Sequence, residues 1–336
     1  MARGPCCPGS SDTISAVPAS GFFASLLGSR FWVTAYATFA LGFVIPGNWE
    51  AWRWTVPLFL GGILFFTSLK LSWDDVLTAI RDRRRWKQVS WMTTVKLLVL
   101  PLAAWAIAMV VAPQWASGVL LVCAMPAGLS SIAFTDILKG NHVLALLLVV
   151  AGSVLVPLTV PMLLLLLGPP GTRLDLHEIV NRATYILTVL AVPFTLAQVV
   201  RRVLPHVVAR FHHRWGMGAV VCSCLLGMVS VLVNRDLWAD WQPQQLMPPF
   251  LLVCFLSAMT LTLGWWSQRL VGGHDAKAFA CGIAYMNNGL SIAFAVRFFH
   301  DDPTMVLPSI LMQVPMIGSV AIIGRFARKE VEPASA

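Results

Sequence analysis

Charged side chains are scarce: Asp, Glu, Lys and Arg make up 12% of the 336 residues, about half of what soluble domains carry. With 57% of residues hydrophobic, the chain has too few water-facing groups to cover the two or three soluble domains its length suggests. Much of the surface must face lipid, and the expected fold class is an all-α integral membrane protein. Acidic residues are rarer still, 15 against 24 basic ones, and the apolar segments hold almost none. That scarcity leaves no paired carboxylates or ligand cluster for acid–base or metal-assisted catalysis. Neither an enzyme, nor a metal site, nor a cofactor is expected. The seven cysteines follow no metal or disulfide spacing. Five of them (Cys123, Cys222, Cys224, Cys254 and Cys281) lie in apolar runs, where cysteine behaves as a small hydrophobe.

The basic residues that give the net charge of +9 sit in short clusters between apolar runs. One covers 81–85 with Lys87, another runs from Arg201 to Arg214, and a third holds Arg325, Arg328 and Lys329. Short loops of this kind stay on the cytoplasmic side of a membrane, so lipid, not nucleic acid, is the expected partner.

A hydrocarbon core about 30 Å thick needs roughly 17–25 apolar residues per helix. That window gives about ten transmembrane spans, near 31–46, 53–70, 89–111, 117–138, 143–167, 181–199, 217–234, 246–270, 277–298 and 305–324. The connections at 71–88, 139–142, 200–216 and 271–276 share a side with both termini and carry the Arg-rich clusters. The opposite loops have few cations, chiefly Arg53, Arg173, Arg182 and Arg235. A multi-pass protein of the cell membrane with both ends in the cytoplasm follows. Residues 1–28 read as a polar leader without the order of a cleaved signal peptide, and 326–336 as a cytoplasmic tail.

Two five-span halves, 29–168 and 169–325, suggest an inverted internal repeat. The fourth span contains Pro126-Ala127-Gly128-Leu129-Ser130-Ser131, and the ninth contains Asn287-Asn288-Gly289-Leu290-Ser291. Gly-Leu-Ser recurs at matched positions, and an odd number of spans per half inverts the second. Interrupted helices are tolerated at membrane depth only where they are buried in protein or line a cavity. A matched pair of breaks therefore points to a substrate site. Alternatively, Gly128 and Gly289 simply let helices pack closely. Ser130, Ser131, Asn287 and Asn288 can hydrogen-bond a substrate, satisfy the broken ends, or do both. Asp136 and His142 flank the turn at Lys139 and read as solvated. Arg297 reads as an interface anchor at the outer end of span nine, and Thr93 and Thr94 as bonding back to their own helix. The 14 tryptophans mostly lie near span ends, as an aromatic belt requires.

Several runs resemble the bile acid:sodium symporter family. They are 65–71, the third span ending Val99-Leu100-Pro101-Leu102, Met125-Pro126-Ala127-Gly128, 137–141, Pro157 with Pro161, and Asn287-Asn288-Gly289-Leu290. The resemblance covers most of 30–325. It implies ten helices in two inverted five-helix repeats, with broken helices four and nine crossing in a core domain beside two sodium ions. It also implies uptake of an organic anion. The chain departs from the family at the ion ligands. A Ser-Asn pair reads Ser131-Ile132, two hydroxyl positions read Ala145 and Val149, a Glu falls at Gly282, and a Gln falls at Met286, while Asn287 is kept. Sodium is a hard cation that needs several oxygens, and too few remain.

Counting back from Pro101, Lys96 stands where the family places a Gln at the second ion site. An ammonium there supplies positive charge permanently, or reversibly as a proton carrier. Lys96 lies about 15 Å along a helix starting near Trp86, from where a lysine can also snorkel to the headgroups. A mid-membrane charge costs at least about 2.5 kcal/mol and marks a functional candidate. The candidate binding set is Lys96, Pro126, Gly128, Ser130, Ser131, Asn287, Asn288 and Ser291. The expected function is a sodium-independent or proton-coupled secondary carrier of a small organic anion. The alternative is a conventional sodium symporter. The superfamily's arsenite branch expects a Cys where Ala127 stands.

Overall fold

The computed structural model describes residues 31–71, 73–81, 85–169, 175–237, 243–271 and 273–319. The leader, the tail, Arg83, Arg84, Arg173 and the end of the tenth span lie outside them. Among the described residues every regular element is helical, apart from a single isolated bridge between Ala127 and Met286.

The helices are α1 (Phe31–Val44), α2 (Thr55–Ser68), the short α3 (Trp73–Arg81) and α4 (Trp86–Thr94). A π-turn at Val95–Val99 joins α4 to α5 (Leu100–Val111). There follow α6 (Ala116–Ala124), α7 (Ser130–Ile137), α8 (His142–Leu167), α9 (Leu176–Val203) and α10 (Pro205–Arg210). The second half continues with α11 (His212–Leu232), α12 (Pro243–Val271), α13 (Gly273–Ala284), α14 (Asn288–Phe298) and α15 (Pro303–Leu311).

Five stretches are individually long and apolar enough to cross a membrane: Trp86–Val111, His142–Leu167, Leu176–Val203, Arg214–Leu232 and Gln244–Gly264. Their outer faces are apolar too. Only 11% of the apolar window of α9 is buried within the protein, and Val180, Leu187, Val192, Leu196 and Val199 point outward from it. Water would penalise that surface by about 25 cal/mol per Å², whereas lipid does not. The molecule is an all-α integral membrane protein.

Small residues set the helix spacing. A side chain at Gly62 on α2 would collide with the Cys222 sulfur of α11, and one at Gly118 on α6 would run into the Thr304 carbonyl on α15. Such contacts replace the hydrophobic drive that lipid removes. α1 and α2 both pack on α11, and α9 packs on α2. A second group forms around α6, which contacts α5, α8 and α15, while α13 lies against α7, α8 and α12. The breaks α6–α7 and α13–α14 meet inside this second group.

Candidate functional site

Pro126 ends α6. The ring disfavours helical backbone in the residue before it, and Met125 is extended with ψ 145°. The break frees peptide groups that lipid cannot satisfy, and the ninth-span break supplies their partners. The Gly128 N–H donates to the Tyr285 carbonyl at 2.9 Å, and the Asn287 N–H donates to the Pro126 carbonyl at 2.8 Å. The two interruptions thus form a two-bond antiparallel bridge deep in the protein. A side chain at Gly128 would crowd the bridge, since a Cβ there would sit 3.3 Å from the Met286 carbonyl oxygen. Under the bridge, Gly152 of α8 comes so near Pro126 that a Cβ would lie 3.0 Å from the proline's own.

The remaining ends are capped locally. Asn287 Oδ1 accepts the Leu290 N–H at 3.1 Å, an N-cap on α14. Ser131 Oγ donates to the Gly128 carbonyl at 2.7 Å, and Thr135 Oγ1 to the Ser131 carbonyl at 2.7 Å. Ser130 is exposed beside the break. Ser291 turns away and pairs with Ser309 of α15 at 2.7 Å, both hydroxyls buried. Asn288 differs from all of these. It is 6% exposed, and neither its amide oxygen nor its nitrogen has a partner among the described residues.

Lys96 sits on the π-turn. Pro101 has no N–H, and its ring would press on the carbonyl one α-turn back. The chain takes up an extra residue, so that the Leu100 N–H bonds to the Val95 carbonyl five residues earlier. Lys96 is 5% exposed, and its Nζ has no hydrogen-bond partner among the described residues. The side chain is buried and does not snorkel. It lines a cavity of about 10 Å³ with Thr93, Ala127, Gly152, Phe279 and Gly282, room for one water-sized occupant. Cys123 on α6 lies within electrostatic reach. Gly282, Ala145 and Val149, the positions that the resemblance pairs with ion ligands, are buried. Thr94 does bond back to its helix, at 2.8 Å to Ser90. Thr93 does not. Its hydroxyl is buried, unpartnered and in the Lys96 cavity, which helical bookkeeping on the sequence had no means of revealing.

Asp136 and His142 lie 3.9 Å apart, both largely exposed, as a solvated turn. At the other end of the bundle a cleft of about 440 Å³ opens between the start of α2, α9 and the end of α14, lined by Arg53, Trp54, Tyr185, Arg297 and His300. Arg297, expected as an interface anchor, is part of this wall. Arg182 is 7% exposed and stacks over Phe298 and Phe299, 5.4 and 4.8 Å from the ring centres.

Residues 57–241 match the model of the sodium bile acid symporter family, more than half of the chain. The chain belongs to that family. A Bacillus subtilis (strain 168) protein described as "Uncharacterized sodium-dependent transporter YocS" is 25% identical over 305 residues, spanning 90% of this chain and 91% of its own. "Uncharacterized protein PA2026" of Pseudomonas aeruginosa is 26% identical over 323 residues, spanning 92% and 96%. Membership makes the protein a membrane-embedded secondary transporter of a small solute, and not an enzyme.

Proposed function

We propose that the protein carries a small organic anion across the cell membrane without sodium, or coupled to protons, with Lys96 standing in for a sodium ion. Its two inverted halves are 29–168 and 169–325, and both ends lie in the cytoplasm. The observation that carries this reading is the buried, unpartnered Lys96 ammonium in a one-water cavity, facing Gly282 where the family's ninth-helix carboxylate falls. A cation enclosed there without a counter-charge is costly, and the site has lost the oxygens that a free sodium ion would need.

Uptake of radiolabelled carboxylates into proteoliposomes, with sodium and proton gradients imposed separately, tests the coupling. Sodium should have no effect. Lys96→Gln should lower uptake at least tenfold. Strong sodium stimulation refutes the coupling, and unchanged uptake in the variant removes Lys96 from it. The Bacillus relative's name favours a second reading, the conventional sodium symporter. Thermal stabilisation of the purified protein by sodium, and not by potassium, would favour that one.

A further inference from the structure

Pro205 turns the chain where α9 ends. The residue before a proline avoids helical backbone, and Leu204 has φ −125° and ψ 53°. The short α10 that follows is held firmly from beneath. Val208 is buried and shares a small core with Leu69 and Ala197. The Trp215 indole N–H donates to the Val208 carbonyl at 3.0 Å, and Arg201 donates to the Leu69 carbonyl at 2.9 Å. The corner between α9, α10 and α11 is therefore fixed to the end of α2.

Its outer surface carries two kinds of side chain. Arg202, Arg210 and Arg214 are exposed, with His206 between them. The guanidiniums of Arg210 and Arg214 both lie over the Phe211 ring, 5.9 and 5.5 Å from its centre. Lys70 reaches the start of α11, where a Cβ at Gly216 would come 2.8 Å from its Nζ. No Asp or Glu occurs from 179 to 235, and no ion pair engages Arg202, Arg210 or Arg214 among the described residues. Beside these cations Val203, Leu204 and Val207 are also exposed.

The exposed valines and leucine continue a longer stripe. Val192, Leu196, Val199 and Val203 recur at helical spacing on one outward face of α9. An acyl chain lying along that face ends at the cations. We infer that this corner is a binding site for an anionic phospholipid. Arg202, Arg210 and Arg214 hold the phosphate, and Val199, Val203, Leu204 and Val207 meet the acyl chains. A guanidinium fork matches phosphate oxygens, and basic clusters at a membrane edge attract anionic lipid. The apolar stripe separates this occupant from an acidic protein or a free phosphate, which gains nothing from it. A zwitterionic lipid brings its own cation, which the arginines repel. The lipid ties the group of α2, α9 and α11 to the leaflet on the Arg-rich side of the bilayer.

The test measures ligand-dependent thermal stability of the purified full chain in an uncharged detergent. The probes are dioctanoyl phosphatidylglycerol, dioctanoyl phosphatidylcholine, inorganic phosphate and polyglutamate. Phosphatidylglycerol should stabilise the wild type, and the other three should not. The triple variant Arg202→Gln, Arg210→Gln, Arg214→Gln, at exposed sites, should weaken its apparent affinity by about tenfold or more, through loss of charge-assisted hydrogen bonds. Each single substitution should weaken it about threefold, which gives the readout even if the triple variant is unstable. Arg81→Gln with Lys87→Gln, exposed cations elsewhere, should leave it within about twofold. Leu204→Ser with Val207→Ser should weaken it about threefold or more. No response to phosphatidylglycerol overturns the assignment. So does an equal response to phosphatidylcholine, inorganic phosphate or polyglutamate, an unchanged response in the arginine variants, or an equal loss in the Arg81/Lys87 variant. The readout needs no transport, so the lipid site stands or falls apart from the coupling reading.

Discussion

At the scale of single residues, unpaired polar groups separate function from structure. Buried polar atoms are nearly always hydrogen-bonded, yet Lys96 Nζ, Thr93 Oγ1 and both amide atoms of Asn288 are not. Replacing Lys96 with Met nearly keeps the volume and removes the buried, unpartnered amine. The melting temperature should rise, by an amount equivalent to about 1 kcal/mol or more, while uptake falls. Thermal denaturation beside proteoliposome uptake measures both. Asn288 and Ser291 make a matched contrast. Asn288→Leu loses no hydrogen bond and should leave stability unchanged or higher, with transport reduced. Ser291→Ala strands the buried Ser309 hydroxyl and should cost about 1–3 kcal/mol. The sequence placed both residues in one candidate set because Asn-Asn-Gly-Leu-Ser is a single run. The structure divides them, since Ser291 meets the Ser309 hydroxyl while Asn288, one turn earlier, meets no polar partner among the described residues.

At the scale of elements, the π-turn decides where Lys96 points. One residue more or less in a helix rotates everything beyond it by about 100°. Pro101→Ala restores the missing N–H and allows the turn to relax to α. Uptake should then fall although Lys96 is still present, and a cysteine placed at 96 should lose its shielding from membrane-permeant maleimides. Gly128→Val tests the bridge. Its branched side chain would wedge against the Met286 carbonyl, and a destabilisation of about 1–3 kcal/mol is expected together with lost transport. The helices themselves were legible because hydropathy is a local property, and Pro126 with Gly128 announced one interruption. The bridge was not legible. It joins residues far apart in the chain, and no periodicity encodes which carbonyl will meet which amide. The cleft was hidden for the same reason, for Arg53, Tyr185 and Arg297 converge from three helices.

At the scale of the whole molecule, family membership and local chemistry pull apart. The chain matches the sodium bile acid symporter family over 57–241, and its relatives include a protein named as sodium-dependent. The resemblance nevertheless pairs one of the family's ion positions with Lys96, which the structure buries without a hydrogen-bond partner among the described residues. The first side-chain carbon is tolerated at Gly282, where a Cβ would meet Leu148 at 3.4 Å and Ala127 at 3.9 Å, ordinary contact distances, and shortening Lys96 to Gln frees room beside it. The triple variant Lys96→Gln, Ile132→Asn, Gly282→Glu should therefore acquire thermal stabilisation by sodium that the wild type lacks. Failure of the variant to respond, in a protein that still folds, would mean that more than these ligands has diverged.

The bridge between Pro126–Gly128 and Tyr285–Asn287 also bears on biosynthesis. A ribosome releases the fourth span long before the ninth, so the nascent chain enters the bilayer with the Gly128 amide and the Pro126 carbonyl awaiting partners that have not been translated. The first half cannot mature by itself. Until the second half arrives those two groups lack the partners they have in the finished fold, and a chain truncated before residue 285 should be more sensitive to proteolysis in membranes than the full chain.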